Sequence, residues 1–114
     1  MILLTSKDPL PGVTYGKENF YETEVSQNSA GTSDFVLLAS FIQYASVAVY
    51  PTDGSCKVQT TSDTVENLEA GTAVWEDWPA GSVSSAKSDV AAGVKAIRLV
   101  VSSGSARMII SQEV

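Results

Sequence analysis

The stretch Val94-Lys95-Ala96-Ile97-Arg98-Leu99-Val100-Val101-Ser102-Ser103-Gly104-Ser105-Ala106-Arg107-Met108-Ile109-Ile110-Ser111 decides the fold class. Ile97, Leu99 and Val101 fall on one side, and Ala96, Arg98 and Val100 on the other. That period of two belongs to a β-strand. The alternation resumes in Ala106, Met108 and Ile110. Ser103-Gly104-Ser105, between the two runs, has the length and composition of a hairpin loop, so two antiparallel strands joined there are expected.

Upstream of this stretch the chain keeps the same grammar of short apolar runs and turn residues. Thr72 to Trp78 reads as a strand closed by Pro79-Ala80-Gly81, and Ser82 to Lys87 as a weak polar strand. Residues 62–71 include a helical turn, with Asp63 as its cap and Gly71 as its stop. Asp53-Gly54 supplies the left-handed positions of a hairpin, which makes Cys56 to Thr61 a returning strand. The run from Phe35 to Tyr50 is ambiguous. A helix would align Phe35, Leu38, Ile42, Ala45 and Val49; a strand would align Phe35, Leu37, Ala39, Phe41, Ala45, Val47 and Val49. Its β-branched and aromatic content favours two strands, broken near Ser40–Gln43 and ended by Pro51.

Residues 1–33 differ from the rest. Pro9, Pro11 and Gly12 forbid a helix and suggest an extended arm. Within this region, Phe20-Tyr21-Glu22-Thr23-Glu24-Val25 alternates as an edge strand, its two glutamates discouraging further pairing. The expected architecture is all-β: a single antiparallel sandwich, jelly-roll-like, over residues 34–114, with an N-terminal arm and edge strand over 1–33.

The composition narrows the function. The 114 residues carry 7 basic and 13 acidic side chains, a net charge of −6, which disfavours nucleic acid as a partner. There are 0 histidines, so no Ser-His or Cys-His pair can be built and the commonest metal ligand is missing. The single cysteine, Cys56, offers neither an intramolecular disulfide nor a zinc site. Ile2-Leu3-Leu4 is too short for a signal peptide, and no apolar stretch approaches the roughly 18 residues of a membrane helix. A chain made in the cytoplasm and not exported by its own signal is therefore expected. No cofactor, metal or membrane role is expected either.

Trp75-Glu76-Asp77-Trp78 is the most conspicuous chemical cluster. On a strand Glu76 and Asp77 point to opposite faces, so they cannot act together as paired acids. Trp75 would share a face with Asp77, and Trp78 with Glu76. One indole then packs in the core while the other covers its rim, and both stand as candidate glycan or interface aromatics. Asp63, Glu66, Glu69, Glu76 and Asp77 form an acidic stretch that reads as a solvated or docking surface.

The segments Ala70-Gly71-Thr72-Ala73-Val74-Trp75, Trp78-Pro79-Ala80-Gly81-Ser82-Val83 and Val94–Ala106, with Ile110-Ser111-Gln112 at the end, form a recognisable series. The series resembles the C-terminal pattern of small virion structural proteins of tailed bacteriophages, above all capsid decoration (cement) proteins. The resemblance covers residues 70–112. It implies a non-enzymatic protein of the capsid exterior that binds neighbouring major capsid protein subunits, and further copies of itself, and so stabilises the shell. Ile2, Leu3, Leu4, Phe20, Tyr21 and Val25 are then the candidate docking residues. A carbohydrate- or receptor-binding sandwich and a tail or head–tail connector subunit are the alternatives; an enzyme, lacking histidine, could be only a carboxylate-based hydrolase.

Overall fold

The computed structural model describes residues 2–3, 5–7, 20–39 and 44–113. In chain order the elements are β1 (Ile2–Leu3), β2 (Thr5–Lys7), β3 (Phe20–Gln27), β4 (Gly31–Thr32), β5 (Val36–Leu37), β6 (Tyr44–Thr61), α1 (Val65–Ala70), β7 (Glu76–Asp77), β8 (Lys87–Ala92) and β9 (Ala96–Glu113). The fold is all-β, an antiparallel sandwich with one short helix.

Two long strands organise it. β6 and β9 run antiparallel from Ser46 opposite Ser111 to Thr61 opposite Ala96. This ribbon bends in the middle, and the burial pattern records the bend. In β6 the buried positions are Ala45, Val47 and Val49, then Cys56, Val58 and Thr61; in β9 they are Ala96, Ile97, Leu99 and Val101, then Ala106, Met108, Ile110 and Gln112. Apart from the terminal pair Thr61 and Ala96, both strands switch from odd to even numbers, so each slips one step of its pleat at the bend. The register shifts between Thr52 and Cys56 carry that slip on β6. Asp53 (φ 57°) and Gly104 (φ 69°) supply left-handed backbone to the two strands at this place.

The bend folds the ribbon into two layers. The first half of β6 and the second half of β9 form one layer, with β8 beyond β6, and β3 then β2 beyond β9. The other halves form the second layer, with β7 beyond β6, and β4 and β5 beyond β9. β1 runs parallel to β5. Inward side chains from both layers, among them Val47, Val58, Trp78, Leu99 and Met108, make one core.

Several expectations are corrected by this arrangement. Neither Asp53-Gly54 nor Ser103-Gly104-Ser105 closes a hairpin; each lies inside a strand that continues through it. Pro51 does not end its strand, because it lies past the last β8 pairing (Val49 with Lys87), where β6 has a neighbour on one side only. β8 occupies Lys87–Ala92 rather than Ser82 to Lys87, and β7 shortens Thr72–Trp78 to two residues. β5 and β6 are separate strands as expected, yet β5 buries Val36 rather than Phe35 and Leu37. The helix is capped by Thr64, whose hydroxyl accepts from the Asn67 N–H at 3.1 Å, rather than by Asp63. Gly71 ends it in the left-handed conformation, as expected. Finally, β3 pairs with β9 over its whole length, so residues 20–27 join the sandwich rather than standing apart from it as an arm. β2 covers its other side over Phe20–Glu22 only, and among the described residues no strand pairs with that side of Thr23–Gln27.

Candidate functional site

The Trp75–Trp78 segment crosses the rim of the second layer and places its two indoles on opposite sides. Trp78 points inward and is 5% exposed. Its Nε1–H donates to the Gly81 carbonyl at 2.6 Å, while its backbone N–H donates to the Val58 carbonyl at 2.8 Å. It is a core residue, which corrects its candidacy as a glycan-binding aromatic. Trp75 points to the outer side of the layer and stays half-buried.

Strand register explains what Trp75 meets there. Asp77 of β7 stands opposite Gln59 of β6, and Gln59 opposite Arg98 of β9. Their side chains join in one row. Lys57 Nζ and Gln59 Nε2 donate to the Asp77 carboxylate at 3.2 and 3.0 Å, and Arg98 Nε donates to Gln59 Oε1 at 2.8 Å. The bonds from Gln59, then Lys57, hold the Asp77 carboxyl below the usual carboxylate range. The Arg98 guanidinium lies 4.3 Å from the centre of the Trp75 ring, a cation–π contact. Partial burial lowers its pKa from the ordinary guanidinium value. Phe35, entering from the chain before β5, sets its ring 6.3 Å from that of Trp75 at 48°.

The loop carrying Trp75 is held by side chains. The Asp63 carboxylate accepts from the Val74 N–H at 2.9 Å, and the Thr61 hydroxyl donates to the Val74 carbonyl at 2.7 Å. Asp63 also accepts from Thr64 N–H and Asn67 Nδ2, each at 2.8 Å. Leu68 of α1 is buried behind the loop. The result is a cleft of about 370 Å³ lined by Ser33, Asp34, Phe35, Leu68, Gly71, Ala73, Trp75 and Arg98. Phe35 and Arg98 were not singled out from sequence. Position 98 carried a signal, a charge on the outward face of an apolar strand, but its meeting with residues 35 and 75 depends on tertiary register.

A second surface is the outer face of the first layer. Register places Tyr44, Ser46 and Ala48 beside Ala92, Val90 and Ser88, with Ser111 and Ile109 next to Ser46 and Ala48. None of these carries a charge, and Tyr44 and Val90 are 61% and 58% exposed. Charges gather on its β3 side, where Arg107 lies 4.4 Å over the Tyr50 ring and 3.8 Å from Glu24. β8 turns Lys87 and Asp89 toward the interior side, as their pairing with Val49 and Val47 requires. Inward charges of this kind guard an edge strand against further pairing.

The other expected docking residues are dispersed. Ile2 packs against the core, and Val25, 5% exposed, is part of it, which removes Val25 from any docking surface. Tyr21 is half-buried on the inward side of β3. Leu3 pairs with Leu37 and Phe20 with Lys7 and Glu113 through their backbones; Leu4 lies outside the described residues. Within the acidic stretch Glu66 and Glu69 are exposed on α1, and Glu76 is exposed on β7. Among the described residues no three His, Cys, Asp or Glu side chains gather into a group that could hold a metal ion, and no helix is long and apolar enough to cross a membrane.

No protein-family model matches the sequence, and no curated protein matches it significantly. The fold is similar to that of oxalate oxidase, with a TM-score of 0.50 at 14% identity over 82% of this chain. The chain spans 41% of the length of that enzyme. It is also similar, at lower TM-scores of 0.45 and 0.44, to peruvianin-I, a cysteine peptidase from Thevetia peruviana latex, and to a Bacillus endospore appendage protein of a family of disulfide-linked pili. Identities are 13% and 18%; the match covers 82% of this chain and 49% of peruvianin-I, and 93% and 98% for the appendage protein. At such identities the likeness concerns the fold alone.

Proposed function

We propose that this chain is a non-enzymatic structural protein of a virion that docks on neighbouring major capsid protein subunits and stabilises the shell, in the manner of a bacteriophage decoration protein. The observation that carries the reading is the uncharged β6–β8 part of the outer face of the first layer, where Tyr44 and Val90 stand exposed among small residues. An uncharged face of this kind suits burial against another protein, since little charge has to be desolvated. The inward charges of β8 favour face-on docking over strand addition at that edge. The likeness of residues 70–112 to virion proteins supports the choice of partner. A ligand that binds only assembled subunits stabilises the assembly by mass action, and many modest contacts add over a lattice.

The test is sedimentation of a native lysate of the source, with the chain quantified by mass spectrometry. Co-migration with a large particle, at a copy number that rivals the main shell protein, is the expected result. Migration as a small free species overturns the reading, and a low fixed copy number replaces it with a tail or connector role.

A further inference from the structure

We propose that the cleft between Phe35, Trp75 and Arg98 binds a carboxylate-bearing sugar, a uronic acid residue of an acidic saccharide. The inference is independent of docking to a shell.

Arg98 is the starting point. Its Nε is committed to Gln59, its guanidinium plane lies against Trp75, and its Nη1 and Nη2 find no hydrogen-bond partner among the described residues. The row Lys57–Asp77–Gln59 restrains Arg98 from behind. An arginine so restrained has already lost much of the side-chain freedom that binding would otherwise cost. What remains on offer is a planar pair of donors, the fork that matches the two oxygens of a carboxylate.

The rest of the lining selects among carboxylates. Phe35 and Trp75 supply an apolar wall suited to the C–H face of a pyranose ring. Asp34 lies on the same cleft. Its Oδ1 accepts the Phe35 N–H at 2.9 Å, which ties it to the wall of the cleft. The net charge of −6 sets a cost on every further negative charge, so a dianionic phosphate is disfavoured relative to a monoanion. The volume of about 370 Å³ is at the small end of ligand sites and fits a single sugar residue rather than an extended chain.

The test titrates the full chain with galacturonate, galactose, acetate and inorganic phosphate, read by calorimetry and by tryptophan emission. Galacturonate is expected to bind saturably, to shift the emission of Trp75, and to bind at least about tenfold more tightly than each of the other three. Arg98→Lys, which keeps the charge but loses the fork, is expected to weaken galacturonate about tenfold while the melting temperature stays near that of the parent. Should that variant not fold, the ligand series on the parent chain decides alone. Equal binding of galactose removes the role of Arg98, equal binding of acetate removes the sugar, equal binding of phosphate removes the carboxylate selectivity, and no binding of galacturonate removes the site; each of these overturns the proposal.

Discussion

The α-carbon of Gly104 faces the carbonyl of Thr52 so closely that a Cβ there would lie 2.3 Å from the oxygen. The approach is mutual across the bend, because a Cβ on Gly54 would lie 2.0 Å from the Ser103 carbonyl oxygen. Here the two ribbon strands reverse their pleat together, and no side chain fits between them. Gly71 has a similar backbone (φ 77° against 69°) but nothing within 4 Å of its Cβ position. Gly71→Ala should therefore cost only the left-handed penalty of about 1–2 kcal/mol. Gly104→Ala adds a backbone clash, so its urea midpoint should fall well below that of Gly71→Ala. Equal midpoints would show that the bend yields freely.

The bend also explains which parts of this fold were legible in the sequence. The strands themselves were, because Ile97, Leu99 and Val101, and then Met108 and Ile110, alternate over distances that local chemistry governs. The stop of α1 at Gly71 was legible for the same reason. What misled was Asp53-Gly54 and Ser103-Gly104-Ser105, each of which carries a hairpin's local signature. Their true partner is each other, some fifty positions apart in the chain, and that pairing keeps both strands running through the bend. The candidate site was half legible. The opposite orientation of Trp75 and Trp78 follows from strand period, but Phe35 and Arg98 reach Trp75 from other strands through register.

The two indoles should separate in experiment. Trp78→Ala empties a core position and unpairs the Gly81 carbonyl from its indole donor, so a loss of about 3–5 kcal/mol is expected from urea unfolding. Trp75→Ala removes a half-buried ring from a surface cluster and should cost clearly less. Acrylamide should quench the single-tryptophan variant Trp78→Phe, which retains Trp75, more strongly than Trp75→Phe, which retains Trp78. The reverse order of quenching would mean the indoles are exchanged between core and surface.

Asp63 predicts an acid-sensitive loop. Its carboxyl pKa is lowered chiefly by the Asn67 side chain, then by the backbone N–H groups of Val74 and Thr64. A carboxylate with a depressed folded pKa stabilises the protein above its unfolded value of about 3.9, and that contribution is lost as pH falls through the folded value. Stability should thus be flat near neutrality in this respect and decline at acid pH. Asp63→Asn should melt below the parent at pH 7, with the gap narrowing at pH 3. Amide exchange at Val74 should quicken in the variant, since its N–H bonds to Asp63 Oδ2. A gap that is unchanged between the two pH values would separate Asp63 from the acid response.

Gln112 tests the seam between β9 and the chain that follows β5. It is 1% exposed, and its side chain engages the backbone of Ala39 as a strand would: Oε1 accepts the Ala39 N–H at 2.8 Å, and Nε2 reaches the Ala39 carbonyl at 3.5 Å. Gln112→Leu keeps the bulk but strands the Ala39 N–H, a loss of about 1–3 kcal/mol. Gln112→Glu keeps the acceptor and brings a buried charge. Burial raises the folded pKa of such a carboxyl above the unfolded value of about 4.3, so its stability is fully present below that value and is lost as pH rises through the folded one. The Glu variant should therefore melt closest to the parent below about pH 4 and fall away from it toward pH 7, while the Leu variant keeps a constant deficit. Parallel curves for the two variants would mean that residue 112 is in water rather than sealed between the layers.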